Sequence, residues 1–322
     1  MQLLASNFNS PWTEIERRER SIPNLYPAKE RMGSTGKNWR RRRSSRLEWE
    51  RRAVTGITQE IRALDPLVQR KYLRDFRDAF QTYQCAITPA QFDEELLEAE
   101  VILIGDYHTL AASQGYAAHL VEHAASRGKA ASLGLEAIFA ADQPVLDDWW
   151  QNKITEQQLR SSLRFDQEWG YDWEPVCELL HTARRHAVPV YGLDCGPRSN
   201  LRAIRKRDLH AAAKIAEIRE RFPRRSMMAL FGESHLAPSH LPALVRAQRP
   251  QDRILTILQN CDALYWQLAV GPAGNKPVVR ISDGVLGVFT ASLFEKYDSY
   301  RAYLQGEPEE FGPLFPAVDK NL

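Results

Sequence analysis

The sequence predicts an α/β fold, a mostly parallel sheet with helices on both faces, and three observations predict it. Four branched apolar residues at 101–104 run straight into Gly105, Asp106, Tyr107 and His108, as a strand buried on both faces does inside a parallel sheet. Strand-like and helix-like stretches then alternate from residue 100 onward, the pattern of helices crossing over between parallel strands. The opening design also returns at 228–235, Met-Ala-Leu-Phe-Gly-Glu-Ser-His, so two Gly-x-x-His motifs each follow a strand.

Residues 1–55 precede the alternation and form a basic arm that peaks at Lys37-Asn-Trp-Arg-Arg-Arg-Arg43, with Trp12, Trp39 and Trp49 along it. Such a block is expected to be a disordered or loosely helical extension whose arginines pair with Glu14, Glu16, Glu19, Glu48 and Glu50. Basic residues interleaved with aromatics also suit nucleic-acid phosphates or an anionic membrane surface. No nucleic-acid fold signature accompanies the run. Residues 56–98 read as a helical lead-in. Leu73, Phe76, Phe80 and Tyr83 draw an apolar stripe at three- and four-residue intervals, and Thr88-Pro89 opens a second helix.

The α/β domain proper spans 99–304. A helix over 113–127 ends at Gly128, where a left-handed residue closes helices. A strand at 131–136 follows, then a helical stretch holding Leu146, Trp149, Trp150 and Ile154, and a new helix from Thr155-Glu156. Residues 174–187 are helical and lead into the strand 189–194. A strongly charged helix covers 203–221, the strand ending at His235 comes next, and a short helix at 241–247 precedes the strand 254–258. Residues 278–281 read as an edge strand, and 305–322 as a tail.

Composition narrows the classes. At 322 residues the chain can bury a large core, and no apolar window is long enough for a membrane span. The amino terminus shows no signal peptide and no cysteine placed to take a lipid, so the expected location is cytoplasmic. Cys85, Cys177, Cys195 and Cys261 lie far apart without a Cys-x-x-Cys pair, which argues against a zinc knuckle or a disulfide framework. They read as reduced, mostly buried thiols.

The strand exits carry the chemistry: Asp106 with His108, Glu136, Asp194, Glu233 with His235, and Gln259 with Asn260. In a parallel sheet these exits share one edge, where such folds bind ligands. Two imidazoles with two or three carboxylates are the donors zinc, manganese and iron accept, and such a metal polarises a carbonyl or activates water. Without a metal, a glutamate and a histidine serve as base and acid. A His or Tyr is also an axial haem ligand, with Tyr107 and Tyr116 available. Arg198, just past the third strand, is placed for a substrate carboxylate or a haem propionate, or for Asp194. Ser234 lacks the Gly-x-Ser-x-Gly setting of a hydrolase nucleophile, and Gly271-Pro-Ala-Gly-Asn-Lys276 misses the phosphate-loop spacing and reads as a turn. The aromatic, acidic segment 164–173 interrupts the alternation as a lid or pocket wall does.

Gly105-Asp-Tyr-His108, Leu133-Gly-Leu-Glu136, Asp142-Gln143, Leu146-Asp147, Trp169-Gly-Tyr-Asp-Trp173, Pro189-Val-Tyr-Gly-Leu-Asp194 and Gly232-Glu-Ser-His235 together resemble the ChaN-type haem-binding uptake proteins. These are grouped with the TIKI, TraB and erythromycin-esterase proteins. The resemblance covers roughly residues 85–265 and includes order and spacing. It implies one of two roles. ChaN-like members are iron-regulated lipoproteins that bind haem. TIKI-like and esterase-like members are hydrolases that use the two Gly-x-x-His motifs and a strand-end glutamate, some with a divalent metal. Carried over, those roles fall on His108, His235 and Glu136, with Asp106 and Glu233 as acidic companions. The chain departs from the family in having Asp106 where Glu is usual, and in lacking a lipobox. The resemblance thus implies haem or iron binding. The alternative is a metal-dependent esterase or peptidase, with Asp106, His108, Glu136 and His235 around zinc, manganese or iron and Glu233 among the catalytic groups. Its expected partners are haem or a small-molecule or peptide substrate, with a homodimer as the candidate assembly.

Overall fold

The computed structural model describes residues 36–65, 71–196, 204–269 and 277–306, with side chains from residue 47 onward. Two units are distinguished, residues 1–51 and 52–322. Of the first, residues 36–51 are described and are helical, the start of helix α1 (Gly36–Leu64). Trp12 and the side chain of Trp39 lie outside the described residues, as do Arg198, the expected turn at 271–276 and most of the tail.

The second unit is built on one eight-stranded sheet. Its strands are β1 (Cys85–Ala86), β2 (Val101–Asp106), β3 (Ala131–Phe139), β4 (Val190–Asp194), β5 (Ser226–Gly232), β6 (Ile254–Gln259), β7 (Val279–Ser282) and β8 (Val285–Val288). They lie in the order β1-β7-β8-β6-β2-β5-β3-β4. Every pairing from β8 across to β4 is parallel, and β7 is antiparallel to both neighbours. β2 is buried along its whole length between β5 and β6, which is what its unbroken apolar run requires.

Helices lie on both faces. They are α2 (Lys71–Ala79), α3 (Pro89–Glu98), α4 (Ala111–Ser126), α5 (Gln143–Trp150), α6 (Glu156–Ser162), α7 (Phe165–Glu168), α8 (Trp173–Arg185), α9 (Ile204–Arg221), α10 (Leu241–Gln248), α11 (Asp262–Ala269) and α12 (Leu293–Gln305). The period of two along a strand sends Val101, Leu103, Met227, Ala229 and Phe231 into one core with Phe76 of α2, Ile215 of α9 and Leu241 of α10. Val54, Ile57 and Ile61, at helical spacing on α1, pack with Tyr265, Leu293 and Tyr297. Thr88 and Thr155 start α3 and α6 with reciprocal capping boxes to Gln91 and Gln158. Gly128, at φ +75°, closes α4. Among the described residues, no helix is long and apolar enough to cross a membrane.

Two expectations are corrected. The strand expected at the sheet edge over 278–281 is paired on both sides, with β1 outside it and β8 inside it. β1 has two residues and β8 four, too few to display a period. Ile154 lies beyond α5 in a turn, because that helix stops at its paired tryptophans and Thr155 caps the next. The sequence reading also passed over α11 and α12.

One close approach tests the β3–β4 pairing. A Cβ added at Gly192 meets the Phe139 carbonyl oxygen at 2.4 Å, whereas one at Gly56 on α1 meets nothing within 4 Å. Backbone cannot yield as a side chain does, so Gly192→Ala is expected to destabilise by about 2–3 kcal/mol through overpacking. Gly56→Ala should stabilise by about 0.5–1 kcal/mol. Denaturant unfolding midpoints measure both, and similar midpoints would contradict the packing at β4.

Candidate functional site

β2, β3 and β5 end along one edge of the sheet, with Asp106 level with Gly232. The first motif folds back on itself there. The His108 Nδ1–H donates to Asp106 Oδ2 at 2.8 Å, and the Gln114 amide donates to Asp106 Oδ1 at 2.5 Å. The second motif is held from further away. After β5 the chain enters a short 3-10 turn, Glu233–Leu236, and the His235 Nδ1–H donates to Asp208 Oδ1 of α9 at 2.5 Å. The other Asp208 oxygen accepts from the Tyr72 hydroxyl at 2.9 Å. Each imidazole therefore has a carboxylate behind Nδ1, which fixes the tautomer and leaves Nε2 for the site.

Both Nε2 atoms face Glu136. His108 Nε2 lies 3.9 Å from its Oε2 and His235 Nε2 lies 3.6 Å from its Oε1. Glu136 is buried and is gripped by the protein itself. Its Oε1 accepts from Arg207 Nη2 at 2.6 Å, and its Oε2 accepts from the Gly232 amide at 2.5 Å. Arg207 also donates to both oxygens of Asp194, at 2.9 and 2.8 Å. Gly232 makes the convergence possible, since a Cβ there would lie 3.0 Å from His108 Nε2 and 3.2 Å from Glu136 Oε2.

Burial alone would push the Glu136 carboxyl up. His235, Arg207, His108 and the Gly232 amide outweigh that and hold it down to about 2. For His108 burial favours the neutral ring, but Asp106 and Glu136 raise its pKa above the ordinary histidine value. Asp106, Glu136, Asp194 and Asp208 are all buried, with Arg207 among them. Only His108 reaches outward: its side chain is 23 % exposed, against 5 % for His235. The Trp169 and Tyr171 rings flank it at 4.5 and 5.1 Å between centroids, so the interrupting segment 164–173 forms a wall of the site.

The structure thus gathers Asp106, His108, Glu136 and His235. Glu233 turns elsewhere and meets Lys296 Nζ of α12 at 3.0 Å, where burial pushes its carboxyl up against the pull of that ammonium. Tyr107 joins this second group, with Lys296 Nζ 4.9 Å from its ring centroid. Tyr116 lies on α4 beside His119, ring centroids 6.2 Å apart. Gln259 braces backbone, donating to the Gly105 and Ser113 carbonyls. Sequence reasoning missed Arg207, Asp208, Tyr72, Gln114 and Lys296. Arg207 and Asp208 carried a usable signal, because both fall on the stripe of α9 that buries Ala211, Ala212, Ile215 and Ile218.

The donors test a divalent metal poorly. Asp106 is spent on His108 and Gln114, and both Glu136 oxygens already accept protein hydrogens. Among the described residues, the one group of three donor side chains with ligating atoms all within 4.8 Å lies elsewhere, at Glu156, Cys177 and His181.

Comparison with known proteins agrees with the fold and the motifs. The family model described as haem-binding uptake, Tiki superfamily, ChaN, matches residues 93–269, more than half of the chain. Among solved structures the chain is similar to ChaN of Campylobacter jejuni, described with cofacial haem, at 16 % identity and TM-score 0.41, covering 63 % of this chain and 92 % of that one. It is also similar to the C-terminal region of Pasteurella multocida toxin, at 11 % identity and TM-score 0.42, covering 66 % of this chain and 31 % of that one. The type III effector HopBA1 is similar at 14 % identity and TM-score 0.40, covering 65 % and 97 %. No curated protein matches.

The lowered pKa of Glu136 has a stability consequence. Its unfolded carboxyl titrates near 4.5 and its folded one near 2, so the unfolded chain binds more protons in that window and stability rises with pH across it. The contribution is present above pH 4.5 and is lost as pH falls through the lowered folded value. Glu136→Gln should flatten the pH dependence of unfolding free energy between those values by about one proton. An unchanged slope would mean that the carboxylate is not held as described.

Proposed function

The chain belongs to the haem-binding uptake family of the Tiki superfamily, the family of ChaN, and on that footing we propose that it binds haem against the outer side of the strand-end cluster, with His108 facing the iron. The observation that carries this reading is the environment of His108: a partly exposed imidazole, backed at Nδ1 by Asp106 and flanked by Trp169 and Tyr171. A carboxylate at Nδ1 orients such a ring and raises its basicity as a ligand, and aromatic faces supply the apolar contact a porphyrin needs.

The described cavities constrain how haem sits. One, of about 70 Å³, lies beside Tyr107, Glu233 and Lys296. The other, of about 370 Å³, is lined by Phe139, Asp194 and Cys195 and is at the low end for a drug-sized ligand. Neither of these two is lined by His108, Trp169 or Tyr171, so the contact we propose is one porphyrin face against the exposed edge of that imidazole. His108 Nε2 faces Glu136, and the ring would have to turn that nitrogen away from the carboxylate to hold an iron. Bound haem supplies redox and ligand-binding chemistry at its iron. This chain's share is to present the imidazole, to fix its tautomer through Asp106 and to shield the face with two rings.

A second reading rests on a different observation, the convergence of two carboxylate-backed imidazoles on one ionised glutamate. In that reading the site hydrolyses a small ester or peptide without a side-chain nucleophile. Protonated His108 stabilises the carbonyl oxygen and gives its proton to the leaving group, while Glu136 orients a water whose proton passes to His235 Nε2.

Titration of the purified chain with haemin, followed by visible absorption, tests the first reading. The expected result is a saturable Soret shift whose midpoint weakens at least tenfold in His108→Ala and holds in Tyr116→Phe. Binding that is equally tight in His108→Ala would overturn the assignment. Turnover of an ester panel by the haem-free protein, lost in Glu136→Gln and His108→Ala alike, would favour the second reading.

A further inference from the structure

We propose that Glu156, Cys177 and His181 form a separate binding site for one divalent cation of the zinc class. Cys177 and His181 lie four residues apart on α8 and so project from the same face on successive turns. Glu156 comes from the first turn of α6, which Thr155 caps. One ligating atom from each of the three side chains lies within 4.8 Å of the other two, and His181 Nε2 is 3.0 Å from Glu156 Oε2. Around a tetrahedral zinc with bonds of about 2.0–2.3 Å, donors stand roughly 3.3–3.8 Å apart. The three side chains therefore need only small rotations to enclose an ion.

The surroundings suit that ion. The second Glu156 oxygen, Oε1, accepts the Trp173 indole N–H at 3.1 Å, which orients the carboxylate while leaving Oε2 for the metal, as outer hydrogen bonds do at metal sites. The His181 and Glu156 side chains are 39 % and 43 % exposed, which gives an entry path and room for a solvent ligand in the fourth position. Cys177 is buried beneath them, and its thiol lies within 4.8 Å of the ligating atoms of the other two. On binding, the cation displaces the thiol proton and any proton shared between Nε2 and Oε2, and both leave to solvent. A thiolate, a carboxylate and a neutral imidazole then balance a double positive charge, so no net charge is buried. Carboxylate and imidazole with one thiolate is a borderline donor set, which favours zinc or cobalt over calcium or magnesium. The ion would also tie α6 to α8 beside Trp173, the last residue of the segment whose Trp169 and Tyr171 flank His108.

Cobalt titration of the full-length, reduced chain tests the proposal, in a Cys85→Ser background because Cys85 is an exposed thiol. The expected result is a cobalt–thiolate charge-transfer band that saturates at one equivalent and is displaced by zinc. The band is absent in Cys177→Ser. Affinity falls at least tenfold in His181→Ala, a half-exposed position whose variant retains the wild-type circular dichroism. Zinc should raise the Tm of the parent and leave that of His181→Ala unmoved. No band and no Tm rise at a hundredfold excess of metal would overturn the site and leave Glu156 as a hydrogen-bond acceptor only. A band of equal strength in Cys177→Ser would overturn it too, by placing the metal on another thiol.

Discussion

The site depends on one buried ion network, Arg207 between Glu136 and Asp194. Two carboxylates, one within β3 and one at the end of β4, could not both stay ionised in the interior without a cation between them. Arg207 supplies one whose fork reaches both at once, with bonds of 2.6 to 2.9 Å. Removing one member of a buried ion pair leaves the other uncompensated and typically costs about 3–5 kcal/mol. The network is therefore a fixed point, and the neighbouring groups arrange themselves around a glutamate that remains charged.

That charge explains why the two histidines come inward. Each ring sits between a carboxylate at Nδ1 and the Glu136 carboxylate beyond Nε2, so a proton on either ring is attracted from both sides. The 3.6 and 3.9 Å gaps are too long for hydrogen bonds and short enough for ion pairing. The sheet makes the meeting possible by register. Asp106 stands level with Gly232, and a glycine at that point leaves room for His108 to cross over the end of the neighbouring strand. Any side chain at 232 would occupy the space in which the imidazole and Glu136 face each other.

Much of this was legible in the sequence. The apolar run into Gly105 announced a central parallel strand, and the repetition of Gly-x-x-His placed two imidazoles at one edge. The strand that carries Glu136 could be read too, but not its end: it runs past an irregularity in its pairing to Phe139, so Glu136 sits inside the strand and not at its exit. What escaped were partners contributed by helices. Arg207 and Asp208 look like surface charges in a helix rich in Lys and Arg, yet they occupy its buried stripe. Their pairing with β3, β4 and the second motif is long-range and has no local signature. Glu233 was misleading for the opposite reason. It holds the position in its motif that Asp106 holds in the first, but the chain enters a 3-10 turn after β5, and the side chain turns toward Lys296 on a helix that carries no motif.

The two motifs are alike in sequence and unequal in place, and that inequality separates their tasks. His235 is almost wholly buried, with Phe231 4.9 Å and Tyr72 5.7 Å from its ring, and it pairs with Glu136 and Asp208. Its ring is held in place by Asp208, which Tyr72 in turn supports. His108 has the same kind of carboxylate backing but keeps part of its ring in solvent beside two aromatic side chains. In the binding mode proposed above, a ligand would meet His108 first, a ring oriented by Asp106 and with its pKa raised by Asp106 and Glu136. The first motif would then make the contact, while the second stays buried behind it. In the same proposed mode Trp169 and Tyr171 would shape which ligands fit, since among the described groups they are apolar surfaces beside the more exposed imidazole.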